Sequence, residues 1–134
     1  MASHDAVTYL LIDDIPNREA AIAGFYCLSA GEVRREAAPA SVAKHAPEPI
    51  PVIRMGRFAI DLGYQARGLG AQLLRESLTS ALAAANLIGS RAMLVDAVND
   101  TAKAFYQRYG FIESPIHPMQ LLISLRVIAK STGI

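Results

Sequence analysis

Six residues near the middle of the chain, Gln65-Ala66-Arg67-Gly68-Leu69-Gly70, have the types and spacing of an anion cradle. An apolar run, Val52 to Asp61, leads into them, and an amphipathic run starts at Leu69. A strand, a glycine-bearing turn and a helix in that order aim the turn amides and the first helical amides at one point. Those helical amides lack intrahelical acceptors and sit at the positive end of the helix dipole. Gly68 and Gly70 carry no Cβ that would hold a ligand off the backbone. The pattern is neither the dinucleotide fingerprint nor a P-loop, which ends in Gly-Lys-Ser/Thr. Its chemistry is the grip of a phosphate-rich ligand by main-chain donors.

A second group follows: Asn99-Asp100-Thr101-Ala102-Lys103-Ala104-Phe105-Tyr106-Gln107-Arg108-Tyr109-Gly110-Phe111. The phenol of Tyr106, with a reference pKa of about 10, is protonated near neutrality and can donate to a departing anion. Spacing alone favours packing as its role, the default for an aromatic on an amphipathic helix. Tyr109, three residues on, is a neighbour on the helix surface and reads as packing. No glutamate stands out as a general base: Glu76 falls on the long helix, and Asp61 closes a strand. If the acceptor is an amine, as the family resemblance given below implies, a lysine amine would need such a base. An α-amine, with a reference pKa of about 7.7–8.0, is already partly neutral, and the absence tilts that acceptor toward α-amines. His4, His45 and His117 are too scattered for a metal site. Arg34, Arg35, Lys44, Arg54 and Arg57 could meet RNA phosphates, although solvated charge is the commoner fate.

The elements that must position these groups can be read in order. Ala6 to Asp13 is rich in Val, Tyr, Leu and Ile and reads as a strand. Asp14-Ile15-Pro16-Asn17 is a turn, and Ala20 to Ala30 is the returning strand, apolar on both faces as a central strand would be. Gly31 to Pro51 carries four prolines and reads as a loop with one short helix around Ala40 to His45. Pro51 releases the chain into extended geometry, and Val52 to Asp61 is the third strand. Leu69, Leu73, Leu74, Leu78, Ala81, Leu82 and Ala85 then share one helical face, ended by Gly89. Ala92 to Val98 is a short strand. Asn99 or Asp100 caps a helix to about Tyr109 that Gly110 stops, and Met119 to Val127 is the last strand. The order β-β-loop-β-turn-α-β-α-β predicts a mixed sheet with helices packed on it, an α/β (α+β) class.

Composition bounds the rest. A chain of 134 residues with 52% hydrophobic and 19% charged residues reads as one folded domain, 1–134. Its early apolar run, Ala6 to Ile12, is too short to span a bilayer and has no basic lead-in, so neither a membrane nor a secretory role is expected. The lone Cys27 reads as a buried thiol in a cytoplasmic protein. The net charge of +1 hides an acidic start and a basic remainder, which falls short of a nucleic-acid footprint.

The glycine turn resembles the Q/R-x-x-G-x-G/A motif of the GNAT superfamily, in which that loop grips the diphosphate of acetyl-CoA. The later segment resembles the same family's Asn followed by Ala-x-x-Phe-Tyr-x-x-x-Gly-Phe. The likeness runs from about Ala6 to Val127. Through Pro49-Ile50-Pro51-Val52 and Gly56-Arg57-Phe58-Ala59-Ile60-Asp61 it is similar to one branch, the GNAT toxins of bacterial toxin–antitoxin operons. That resemblance implies an acetyl-CoA-dependent N-acetyltransferase that acetylates the α-amine of aminoacyl-tRNA and stops translation. It also implies a ribbon-helix-helix antitoxin as partner. It places Gln65, Ala66, Arg67, Gly68, Leu69, Gly70 and Ala71 on the diphosphate. Phe58, Ala59 and Ile60 fall along the pantetheine arm, with one amide on the thioester oxygen, and Asn99 is a further contact to that arm. In this context Tyr106 becomes the general acid for the leaving thiolate. Against that branch, which usually carries an extra strand and helices before the hairpin, this chain opens at what resembles the second strand. Either a dimer partner supplies the missing part, or the start is truncated, or the protein is impaired, and a homodimer or higher assembly is expected. Two alternatives stay open: transfer to a small amine or a protein N-terminus, and a non-catalytic GNAT domain that binds CoA or a partner.

Overall fold

The structure, a computed structural model, describes residues 6–14, 16, 19–61 and 68–126. Six strands form one sheet in the order β1-β2-β3-β4-β6-β5. β1 (Val7–Asp13), β2 (Ala21–Val33) and β3 (Ile50–Ile60) form an antiparallel meander. α2 (Leu69–Ile88) then carries the chain to β4 (Ala92–Asp96), which pairs parallel to β3. α3 (Asp100–Arg108) follows, and β5 (Ile112–Glu113) and β6 (Gln120–Ser124) close the sheet antiparallel. The mixed sheet expected from the element order is present.

Two apolar layers follow from strand alternation. On one face Tyr26, Leu28, Ile53, Met55, Met93 and Val95 meet the leucines of α2 and the aromatics of α3. Of the predicted helical stripe, Leu73, Leu74, Leu78, Ala81, Leu82 and Ala85 lie in that core, whereas Leu69, at the first turn, is only half-buried. On the other face Val33, Ile50, Val52, Ala92, Leu94 and Leu122 pack under α1 (Ala40–Ala43) through Val42. Gly89 and Gly110 end α2 and α3 with φ of 71° and 99°, a conformation glycine adopts without strain.

Several boundaries differ from the sequence reading. β2 runs on to Val33 and β3 starts at Ile50, so Val33↔Ile50 and Glu32↔Pro51 are rungs where a loop is predicted. A 3-10 turn, Arg35–Ala37, joins α1 in the remaining connection, and the Glu48–Pro49 peptide is cis. β5 has only two residues, too few for a period to register. β6 stops at Ser124, where Leu125 N–H turns to Arg91 O at 3.1 Å; Val127 lies outside the described residues. Cys27 is only half-buried, because its face of β2 carries no helix there; it faces Thr8 Oγ1 at 3.3 Å. For the same reason β2 is fully covered on one face and not on both.

Candidate functional site

The site forms where β3 outruns its parallel partner. β4 pairs with β3 only from Val52↔Ala92 to Met55↔Val95, whereas β3 stays paired with β2 as far as Gly24↔Ile60. Gly56 is the extra residue at a register shift opposite Cys27 and Leu28, just past the last parallel rung. Such a bulge bends its strand and increases the twist. Beyond it, no further rung joins β3 to β4 among the described residues. Asp61 N–H donates to Ala23 O of β2 at 2.8 Å. Counting back by the two-residue period, the N–H and C=O of Phe58 point away from β2 and into this gap.

Aromatic side chains tie the gap to both helices. The Phe58 ring lies 5.9 Å from Phe105 and 6.2 Å, edge-on, from Tyr106. A Cβ on Gly70 would sit 3.7 Å from the Phe105 ring, so the first turn of α2 rests on α3. The open edge of β3, the start of α2 and Tyr106 therefore converge, although 48 positions separate Phe58 from Tyr106. Tyr109, expected to pack, does so against Phe105 at 5.2 Å.

Tyr106 is buried, and its ring also packs against Phe111 at 5.4 Å. Burial pushes its phenol up to about 12, because the phenolate would lose its hydration. Its hydroxyl has no hydrogen-bond partner among the described residues. The result is a permanently protonated donor near neutral pH, held beside the open strand edge.

The start of α2 is an uncapped helix end. Gly68 stands at the N-cap with φ of 74° and no side-chain cap, and nothing lies within 4 Å of where its Cβ would be. The backbone angle favours glycine there, and the first helical amides, Leu69, Gly70 and Ala71, belong to the turn that has no intrahelical acceptors. Gly70, expected to clear a ligand's path, instead faces Phe105 at an ordinary contact distance. Gln65, Ala66 and Arg67 lie outside the described residues. Asn99 is the N-cap of α3, where its Oδ1 accepts from Ala102 N–H at 2.8 Å. That bond fixes the direction in which α3 presents Tyr106. An open β edge with an inward-facing amide, next to an uncapped helix start, fits a long ligand with a phosphate-bearing end and an amide-bearing arm.

Sequence reasoning missed one polar cluster. Arg54, read as solvated charge, donates to Asp96 Oδ2 at 2.5 Å, and Gln120 Nε2 approaches Asp96 Oδ1 at 3.4 Å. The signal available was the polar residue that ends the apolar β4 run. Arg34, another of the exposed cations, pairs with Glu36 at 3.5 Å. Among the described residues, no group of three or more His, Cys, Asp and Glu could hold a metal ion, and no helix is long and apolar enough to cross a membrane.

Comparison with known proteins gives this arrangement a family. Residues 7–113 match the family model described as an acetyltransferase (GNAT) domain, and the chain belongs to that family. Its enzymes use acetyl-CoA as the acyl donor. The chain is 41% identical over 109 residues to a tRNA-acetylating toxin of Mycobacterium tuberculosis (strain ATCC 25618 / H37Rv), an alignment covering 81% of this chain. It spans 66% of that relative's length. Among solved structures it resembles the AtaT toxin complexed with acetyl-methionyl-tRNAfMet. The TM-score is 0.85 at 28% identity, over 96% of this chain and 76% of the other. It also resembles a tyrosine-to-phenylalanine variant of AtaT bound to the C-terminus of the antitoxin AtaR and acetyl-CoA. There the TM-score is 0.77 at 26% identity, over 95% and 72% of the two chains.

Proposed function

We propose that this chain is an N-acetyltransferase toxin that moves the acetyl group of acetyl-CoA to the α-amine of aminoacyl-tRNA and thereby blocks translation. The observation that carries the reading is the convergence of the unpaired Phe58 edge, the uncapped α2 start and the buried Tyr106. The 41% identity to a tRNA-acetylating toxin supports the choice of acceptor.

Each residue has a task in this reaction. The amides of Leu69, Gly70 and Ala71, with Gln65, Ala66, Arg67 and Gly68, hold the diphosphate. The backbone of Phe58, Ala59 and Ile60 lines up the amide-bearing arm as an added strand would, and Asn99 adds a polar contact. Acetyl-CoA supplies an activated acyl group as a thioester. An amide of this β3 stretch donates to the thioester oxygen as negative charge develops there. The amine nitrogen bonds to the acyl carbon, the C–S bond breaks and its electron pair goes to sulfur. Tyr106 donates at that sulfur. A full transfer from a phenol at about 12 to a thiolate of ordinary pKa, about 8.5, would be uphill by roughly 5 kcal/mol. The phenol therefore acts first by hydrogen-bonding the sulfur as charge builds, and the proton lost by nitrogen makes up the balance.

The reading extends to partners. Val7, Leu10 and Ile12 of β1 are exposed by 53%, 54% and 45%, an apolar strand surface of the kind that invites pairing with a second chain. It supports a homodimer. A ribbon-helix-helix antitoxin is the expected inhibitor, and the cytoplasm, where charged tRNA is found, is the expected compartment. A cell-free translation assay tests the function: protein synthesis should stop only when acetyl-CoA is present. Arrest that is independent of acetyl-CoA contradicts it. Light scattering tests the assembly, and a stable monomer of 14.4 kDa contradicts the dimer.

A further inference from the structure

On the sheet face away from Tyr106, three polar side chains meet where β3 and β4 part. Asp96 is the first residue past the last β3–β4 rung. Alternation turns it from the α2 side, where Val95 is buried, to the α1 side, where Leu94 is buried. Arg54 reaches it from β3, and Gln120, its partner across the ladder, from β6. A carboxylate at the mouth of the gap is thus held in place from both neighbouring strands.

Stability does not account for the cluster. The Arg54 and Asp96 side chains are 39% and 56% exposed, and ion pairs this wet contribute about 0–1 kcal/mol. Space lies beside it. One hollow of about 440 Å³ is bordered by Arg34, Arg54, Leu94, Ile116, His117 and Gln120. A second, of about 360 Å³, is bordered by Asp96, Ala97, His117, Pro118 and Met119. The lining has no surplus of cations, because Arg34 and Arg54 stand against Glu32, Glu36 and Asp96. A run of phosphates needs surplus cations, which this lining lacks. It fits a small group that both donates and accepts hydrogen bonds.

We propose that the Arg54–Asp96–Gln120 cluster is the acceptor subsite: Asp96 takes a hydrogen bond from the α-amine of the aminoacyl end, with the terminal nucleoside in the hollow toward His117. A carboxylate that accepts one N–H leaves the nitrogen lone pair free to face the acyl carbon across the gap. The amine then enters from the face opposite Tyr106, so attacking and leaving groups lie on different sides of the sheet. The identity of the acceptor rests on the function proposed above; the location of the subsite does not.

Asp96→Asn keeps the shape and one acceptor oxygen for Arg54. It should raise KM for charged tRNA roughly tenfold to a hundredfold, the loss expected for a hydrogen bond to a charged group. The kcat should move far less, and acetyl-CoA affinity should stay unchanged. The double swap Arg54→Asp with Asp96→Arg restores the ion pair in reverse. A structural role would recover KM; the proposal expects KM to stay high. Calorimetry with an amide-linked aminoacyl-adenosine and CoA needs no turnover. Binding to the native chain but not to Asp96→Asn supports the subsite even if no tRNA is acetylated, an outcome that would sink the function alone. Equal binding by both, no binding by the native chain, or an unchanged KM overturns the subsite.

Discussion

Replacing Tyr106 by Phe removes one hydroxyl and leaves the ring that packs against Phe58, Phe105 and Phe111. The hydroxyl has no partner among the described residues, so its loss unpairs nothing and stability should change by less than about 1 kcal/mol. Turnover should drop roughly 10²–10⁴-fold, the range for a lost proton donor, equivalent to about 3–5 kcal/mol of barrier. Acetyl-CoA affinity should hardly move. A second signature follows from linkage. The folded phenol ionises near 12 and the unfolded one near 10, so folding binds the proton more tightly. The native chain therefore keeps this stability below pH 10 and loses about 3 kcal/mol as pH rises through 12, a loss absent in the Phe variant. Single-turnover acetyl transfer and urea unfolding at pH 7 and pH 11 measure the two effects. Full activity in the Phe variant would refute the role given to Tyr106. An identical pH dependence in both chains would refute its burial.

Four further substitutions separate ligand contacts from packing. Gly68→Asp places a bulky anion at a positive φ where the diphosphate should sit, and calorimetry should find no acetyl-CoA binding. Gly70→Ala adds only an ordinary contact to Phe105 and should bind nearly as the native chain does. Gly24→Ala drives a Cβ to 2.7 Å from Ala59 O and should cost about 1–3 kcal/mol in urea unfolding while loosening the edge that Phe58 shares. Asn99→Ala removes the α3 cap and should lower stability by about 1 kcal/mol, read as a reduced Tm.

How much of this was legible depended on whether the signal was local. The α2 stripe and its glycine stop are written at helical spacing, and the Asn99 cap precedes its helix directly. Both were readable. The Pro-rich stretch hides the ends of β2 and β3, because a proline reads as a boundary before a strand whereas Pro51 sits second within β3. The bulge at Gly56 was invisible because a register shift belongs to two strands at once. The same holds for Arg54, Asp96 and Gln120, which meet across separations of 42 and 24 residues. Tyr106 was readable only through its motif. Its elevated pKa comes from neighbours on β3 and α3 that spacing cannot place together.

The most direct test follows the acetyl group itself. Purified chain, acetyl-CoA and a pool of charged tRNA are incubated, and the aminoacyl ends are released and analysed by mass. The account expects an acetyl group on the α-nitrogen of one or more amino acids, and none when acetyl-CoA is withheld or Tyr106 is Phe. Charged tRNA that keeps its free α-amine, with a chain that still binds acetyl-CoA, would contradict it.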